Sequence, residues 1–355
     1  MPPRTEVGRW LGAIISLALL VAALPSSSAR SSVSDYQKKT DPQDDRKKPV
    51  KPELASKSPQ ENPQKDYKIG VNVDLVVVHT SVVDKSGQFV SGLKKDGFKV
   101  FEDGVNQNIV SFSQEDVPVS LGIVVDTSGS MRNKFDNVIK AALAFIRASN
   151  PNDEEFLIGF NDQTELIEDY TNDIDSISDD LNNIVVTGGT ALWDAIYLAV
   201  QKAQKGSKPK KAIIVITDGE DKDSYYKLDE MVAKVQESDV QVYGIGLLND
   251  VPDKGLFGHW TRTEPEKAHD ALQRISDETG AKAFFPKNIS EIHGIVSQIA
   301  FELRNQYSLS YFSSNAVRDG TWRRIKVTLD APATAALRVR HRLGYFAPKT
   351  ATPSK

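Results

Sequence analysis

The chain has 355 residues, of which 39% are hydrophobic and 26% charged, with a formal net charge of -4 and no cysteine. That length suffices for two ordinary domains, and the weak acidity argues against a nucleic-acid partner, which needs a concentrated basic face. The missing cysteine excludes disulfides and thiol catalysis, and the scattered histidines, His79, His259, His269, His293 and His341, show no zinc-ligand spacing.

Arg4 and Arg9 precede an apolar run at 10–24, and the small residues Ser26, Ser27, Ser28 and Ala29 follow it. The run of about 15 residues matches the core of a secretory signal and is short for a membrane span of about 20. Residues 1–29 are therefore expected to be a signal peptide, with an uncleaved anchor as the alternative, and the mature protein is expected to be secreted or periplasmic. Residues 30–66 are rich in Pro, Lys, Gln, Ser and Asp and nearly lack large apolar side chains, the composition of a disordered linker.

Val71, Val73, Leu75 and Val77 alternate with other residues at the period of a half-buried strand. Asp84-Lys85-Ser86-Gly87 reads as a turn. Asp103-Gly104, between runs at 98–102 and 107–112, reads as a hairpin. From 117 to 305 short apolar strands alternate with amphipathic helices. The strands fall at 121–125, 156–160, 212–217, 240–247 and 281–285, with 163–170 as a candidate antiparallel edge. The helices fall at 133–149, 174–184, 191–205, 227–237, 268–279 and 290–301. This order predicts an α/β fold with a doubly wound, mostly parallel, Rossmann-like sheet covered on both faces.

After 305 the pattern returns to β at 307–312, 323–329 and 336–341, with Asp319-Gly320 as a turn. Three strands on each side are too few to stand alone. Residues 67–115 and 306–347 are therefore expected to share one β-sandwich, with the α/β domain of 116–305 inserted into it. Two separate small sheets are the alternative. Residues 348–355 are expected to form a disordered tail.

Three motifs carry chemistry. Asp126, Ser128 and Ser130 form an Asp-Thr-Ser-Gly-Ser run directly after the strand at 121–125. Asp218 follows the strand at 212–217 in a Thr-Asp-Gly sequence, and Thr190 closes Thr-Gly-Gly-Thr just before a helix. Alone, each has a plainer reading as a helix cap or a turn. In open parallel sheets, however, sites form in loops at the carboxyl ends of strands, and these three loops can converge there. Carboxylate and hydroxyl oxygens suit a hard divalent cation, Mg²⁺ more than Zn²⁺, with Mn²⁺ or Ca²⁺ as alternatives. Two carboxylates leave such a cation under-neutralised, with a position free for an Asp or Glu side chain of a protein partner.

These residues resemble the metal-ion-dependent adhesion site of the von Willebrand factor type A domain, the integrin-I-like fold. The match is carried by Asp126-Thr127-Ser128-Gly129-Ser130, by Gly188-Gly189-Thr190 with Trp193-Asp194-Ala195, and by Thr217-Asp218-Gly219, and it covers about 117–305. The resemblance implies that Ser128, Ser130 and Thr190 contact the metal, and that Asp126 and Asp218 act directly or through water. It also permits a shift of the last helix on ligand binding. The flanks, with Leu93-Lys94-Lys95-Asp96-Gly97-Phe98, Glu102-Asp103-Gly104 and Arg342-Leu343-Gly344-Tyr345-Phe346, are similar to the acidobacterial-type VWFA-domain proteins.

Residues 249–266 are long for a strand-to-helix connection and carry Phe257, His259, Trp260 and Arg262. They are expected either to rim the site and contact a partner or to pack on their own domain. Trp193 is expected in the core, and Asp221 and Asp223 as solvated loop charges, with adjustment of the site's electrostatics as their alternative role. The expected function is a secreted or periplasmic, non-enzymatic, metal-dependent protein-binding and adhesion module. A structural envelope scaffold is the alternative. A hydrolase would need a base for Ser128 or Ser130, with His259 the one histidine in a top-face loop, and no G-x-S-x-G elbow is present. Contact with a membrane is expected only through an uncleaved signal segment.

Overall fold

A computed structural model describes residues 74–219, 221–248, 263–330 and 336–350. The expected signal peptide, linker and long loop at 249–262 lie outside the described residues. Among the described residues, no helix is long and apolar enough to cross a membrane.

The amino-terminal flank contributes β1 (Leu75–Val83), β2 (Phe98–Glu102), β3 (Val105–Gln107) and β4 (Ile109–Ser113). The hairpin at Asp103-Gly104 forms, with both residues at positive φ, but its second arm is short. β3 pairs with β2, whereas β4 leaves for a different sheet and pairs with the carboxy-terminal flank. The run expected as one arm at 107–112 is thus split around Asn108. Ile109 is buried in the core between the two sheets.

The α/β block comprises β5 (Val119–Asp126), α1 (Phe135–Arg147), β6 (Glu154–Phe160), β7 (Thr164–Thr171), α2 (Ile174–Asn183), α3 (Leu192–Gln204), β8 (Lys210–Thr217), α4 (Leu228–Gln236), β9 (Gln241–Gly246), α5 (Glu264–Thr279), β10 (Ala283–Phe284) and α6 (Ile292–Asn305). Its sheet has the order β10-β9-β8-β5-β6-β7. All pairs are parallel except β6 with β7, which forms the antiparallel edge the sequence suggested. Strand order reverses between β5 and β8, the switch point where a crevice opens beyond the strand ends. β5 is buried along its whole length, as a central parallel strand must be. Val119, Leu121, Ile123 and Val125 pack in one cluster with α1 and α6, while Val124 faces the α3 side. Gly122 is required there, because a Cβ would lie 2.3 Å from the Phe156 ring.

Helix α5 starts earlier than its apolar pattern suggested. Thr263 and Glu266 close a capping box, in which Glu266 accepts from the Thr263 backbone N–H at 2.7 Å.

The carboxy-terminal flank supplies β11 (Tyr307–Phe312), β12 (Trp322–Leu329), β13 (Arg338–His341) and β14 (Gly344–Phe346). Two four-stranded sheets result, β13-β1-β11-β4 and β14-β12-β2-β3, and each draws strands from both flanks. They share one core of Val76, Val78, Val82, Phe98, Val100, Ile109, Tyr307, Leu309, Tyr311, Ile325 and Val327. The flanks therefore build one sandwich around an inserted α/β block. Residues 348–350, expected to open a disordered tail, are held instead: Lys349 bridges to Asp319, and the Thr350 N–H donates to the Arg318 carbonyl at 3.1 Å.

A buried polar cluster joins the two parts. Glu302 near the end of α6 accepts from Ser81 Oγ at 2.7 Å, Tyr243 OH at 3.2 Å and Arg340 Nη2 at 2.5 Å. Lys210 Nζ donates to the Leu303 carbonyl at 2.6 Å. Helix α6 runs almost directly into β11, so its last turn is tied to the sandwich by side chains as well as by the chain.

Candidate functional site

The site is built where β5 and β8 end side by side. Val125 lies opposite Ile216 in register, which places Asp126 beside Thr217. Asp126 is fully buried. Its Oδ1 accepts from the Ser128 backbone N–H at 2.9 Å, and its Oδ2 accepts from Thr217 Oγ1 at 2.6 Å. Burial pushes its carboxyl above the usual carboxylate range; these hydrogen bonds oppose the shift, and the nearby Asp218 adds to it.

The hydroxyls follow in a chain. Ser128 Oγ and Ser130 Oγ share a hydrogen bond at 3.0 Å, and Ser130 Oγ donates to Asp218 Oδ1 at 2.7 Å. The second Asp218 oxygen is held at 2.7 Å by Lys134 Nζ, which also donates to the Leu247 carbonyl at 3.1 Å. Two carboxylates and one ammonium leave the cluster with a formal charge of minus one.

Backbone bonds stitch the third loop to these two. The Thr187 N–H donates to the Thr127 carbonyl at 2.8 Å, and the Gly129 N–H to the Gly188 carbonyl at 3.2 Å. The Thr190 carbonyl accepts from Lys222 and Asp223, and the Thr190 N–H donates back to Asp223 Oδ2 at 2.7 Å. Thr190 Oγ1 and Cγ2 lie 3.6 and 3.8 Å from where a Cβ on Gly219 would stand, so the Thr190 side chain sits beside the Asp218 loop. Both glycines before it are required. Gly188 has φ +83°, and a Cβ on Gly189 would lie 2.0 Å from Asp223 Oδ2.

The structure thus brings Asp126, Ser128, Ser130, Thr190 and Asp218 together. Among the described residues the donor set is oxygen only, with no histidine hydrogen-bonded to it. That chemistry fits a hard cation such as Mg²⁺ and does not favour Zn²⁺. Among the described residues no cluster of three or more His, Cys, Asp or Glu is present, so hydroxyls must supply the balance. No described histidine hydrogen-bonds either serine: His79 pairs with Ser308, and His341 with the Val327 N–H.

Three side chains escaped sequence reasoning. Lys134 gave no signal, because its partners Asp218 and Leu247 are remote in sequence. Asp221 and Asp223, expected as solvated charges, are structural. Asp221 accepts from the Trp193 N–H at the start of α3 at 3.2 Å and from Ser224 Oγ in its own loop, and burial raises its carboxyl pKa. Asp223 clasps Thr190. Trp193 is buried, as expected. The proposed rim residues Phe257, His259, Trp260 and Arg262 lie outside the described residues. In the segments that carry or directly follow these residues, Arg132, Val185 and Tyr225 are exposed, Val185 at 74% and Tyr225 at 86%.

A doubly wound sheet with oxygen-bearing side chains gathered at its switch point defines a Rossmann-like α/β domain. The family model of the von Willebrand factor type A domain matches residues 120–298, and the chain belongs to that family. It is similar to an uncharacterized protein of Synechocystis sp., with 26% identity over 183 residues covering 49% of this chain and 39% of that protein. It is also similar to the collagen alpha-5(VI) chain of Homo sapiens, with 26% identity over 167 residues covering 44% of this chain and 6% of that one. A solved von Willebrand factor type A structure from Catenulispora acidiphila is similar at 11% identity and TM-score 0.45, covering 78% of this chain and 74% of that one. The chain spans well under two thirds of the length of either curated relative.

Proposed function

We propose that this chain is an exported, metal-dependent protein-binding module. Ser128, Ser130 and Thr190 would hold Mg²⁺, with Asp126 and Asp218 acting directly or through water. When bound, the cation supplies an electrophilic point for an Asp or Glu side chain of a protein partner. The observation that carries this reading is the convergence of five oxygen-bearing residues from three loops at the switch point, around a fully buried Asp126.

Charge supports the reading. With Asp223 on the Thr190 N–H counted, the cluster bears minus two without metal, so it attracts a divalent ion, whose charge then offsets the repulsion an anionic partner group would meet. Lys134 and Thr217 fix the two carboxylates, so the donors are positioned before any ion arrives. The exposed Arg132, Val185 and Tyr225 offer a mixed basic and apolar surround of the kind partner surfaces use. Export rests on the amino-terminal segment.

Calorimetric titration of Mg²⁺ into chelator-treated protein tests this. One saturable site is expected, lost in Asp126→Ala and in Asp218→Ala. No binding, or binding unchanged in both variants, would refute it. Crosslinking of native envelope material in Mg²⁺ and in chelator then separates partner binding from a purely structural metal. Partners that stay crosslinked in chelator would favour a scaffold.

A further inference from the structure

We propose that the cleft between α5, the turn after β1 and strand β13 binds a small doubly charged oxyanion, a phosphate or phosphomonoester group. This site lies in the junction with the sandwich, and it does not depend on the metal reading.

The cleft encloses about 390 Å³ and is lined by Lys85, Lys282, Arg338 and Arg340, with Asp84 and Asp277 as the carboxylates among its walls. Four cations from three separate elements face two anions in the walls, and with Glu302 paired to Arg340 behind them the formal charge is plus one. The carboxylates are also committed elsewhere. Asp84 Oδ1 accepts from the Ser86 N–H at 2.8 Å, Ser86 Oγ at 2.6 Å and the Gln88 N–H at 3.0 Å, all within its own turn. Asp277 Oδ1 accepts from Gln273 Nε2 at 2.8 Å.

The cations are less well matched. Arg340 spends Nη2 on Glu302, and its Nε and Nη1 are buried without a hydrogen-bond partner among the described residues. Buried donors of this kind are costly unless something accepts from them. Lys282 stands over the turn, its Nζ 3.7 Å from where a Cβ on Gly87 would be. It also stands 4.3 Å from the Phe284 ring centroid, and burial first and the neighbouring Arg340 second lower its pKa, with Glu302 opposing. Arg338 and Arg340 are two apart on β13, opposite Val83 and Ser81, so their side chains leave the same face of the strand. Guanidinium and ammonium groups converging from several elements are the usual ligands of phosphate. An oxyanion there would also offset the excess positive charge.

The test is calorimetry of inorganic phosphate into the full chain, at constant ionic strength and in chelator, so that the metal site contributes nothing. Saturable one-to-one binding is expected. It should weaken by about tenfold or more in Lys282→Gln/Arg338→Gln, which leaves the Arg340–Glu302 pair intact. If that variant does not fold, Lys85→Gln in the exposed turn carries the same comparison. Glycerol phosphate and phosphatidate-containing vesicles distinguish a soluble ester from a lipid headgroup: binding of the ester supports the former, and binding of both the latter. Heats no larger than with chloride, wild-type affinity in the variant, or binding to vesicles without binding to either soluble phosphate would each overturn the proposal.

Discussion

Replacing Gly189 with alanine tests how the Thr190 loop is held. A Cβ there would lie 2.0 Å from Asp223 Oδ2 and 3.0 Å from its Cγ. That same oxygen accepts from the Thr190 N–H at 2.7 Å, so Asp223 cannot swing aside without losing the bond. A hydrogen bond to a charged acceptor is worth about 1.5–3 kcal/mol, and Gly189→Ala should cost that much in urea denaturation followed by tryptophan fluorescence. Gly219→Ala is the control. Its Cβ would meet Thr190 Oγ1 at 3.6 Å, an ordinary contact, so its cost should stay below about 0.5 kcal/mol. The double variant Gly189→Ala/Asp223→Ala discriminates further. Alanine at 223 clears the clash, so the double should cost little more than Asp223→Ala alone, with a coupling of about 1.5–3 kcal/mol. Mg²⁺ affinity should fall by about tenfold or more in Gly189→Ala, because Thr190 is displaced. Additive costs in the double variant, or equal small costs for the two glycines, would refute the clasp.

Lys134→Gln leaves Asp218 buried without its cation, so stability in chelator should drop by about 2 kcal/mol. Mg²⁺ should restore most of it, as comparative melts with and without the ion would show. Glu302→Ala strands Arg340 at the junction and should cost about 3–5 kcal/mol by denaturant titration. Glu155 sits in β6 with its carboxyl pushed up to about 7, by burial first and by Asp153 second. Folding therefore favours its protonated form. It costs nothing below its ordinary value of 4.5, and the cost grows as pH rises from there to about 7. The full cost is at most about 3.5 kcal/mol. Glu155→Gln should flatten stability across that range and raise it above the upper value, and a pH series of urea midpoints checks this.

Much of the fold was legible because its signals are local. Whole-strand apolarity marked β5 and β8 as central, and 3.6-residue periodicity marked the six helices. The splitting of 107–112 between two sheets was not legible, because both halves alternate alike and only their partners differ. The early start of α5 was hidden because its first turn is polar and held by a cap. Residues 348–350 carry too little apolar content to announce that they pair with 318–321.

The candidate site divides the same way. Asp126, Ser128, Ser130, Thr190 and Asp218 were readable because each sits in a loop whose position follows from the strand or helix beside it in the chain. The amino-acid sequence alone therefore determined the oxygen donors and the end of the sheet they occupy. Tertiary structure alone decided what holds them. Lys134 reaches Asp218 across 84 residues, Asp223 grips Thr190 across 33, and Thr217 meets Asp126 across 91. Such partners are chosen by strand order and register, which bring distant segments within hydrogen-bonding distance and leave no periodic trace in either segment.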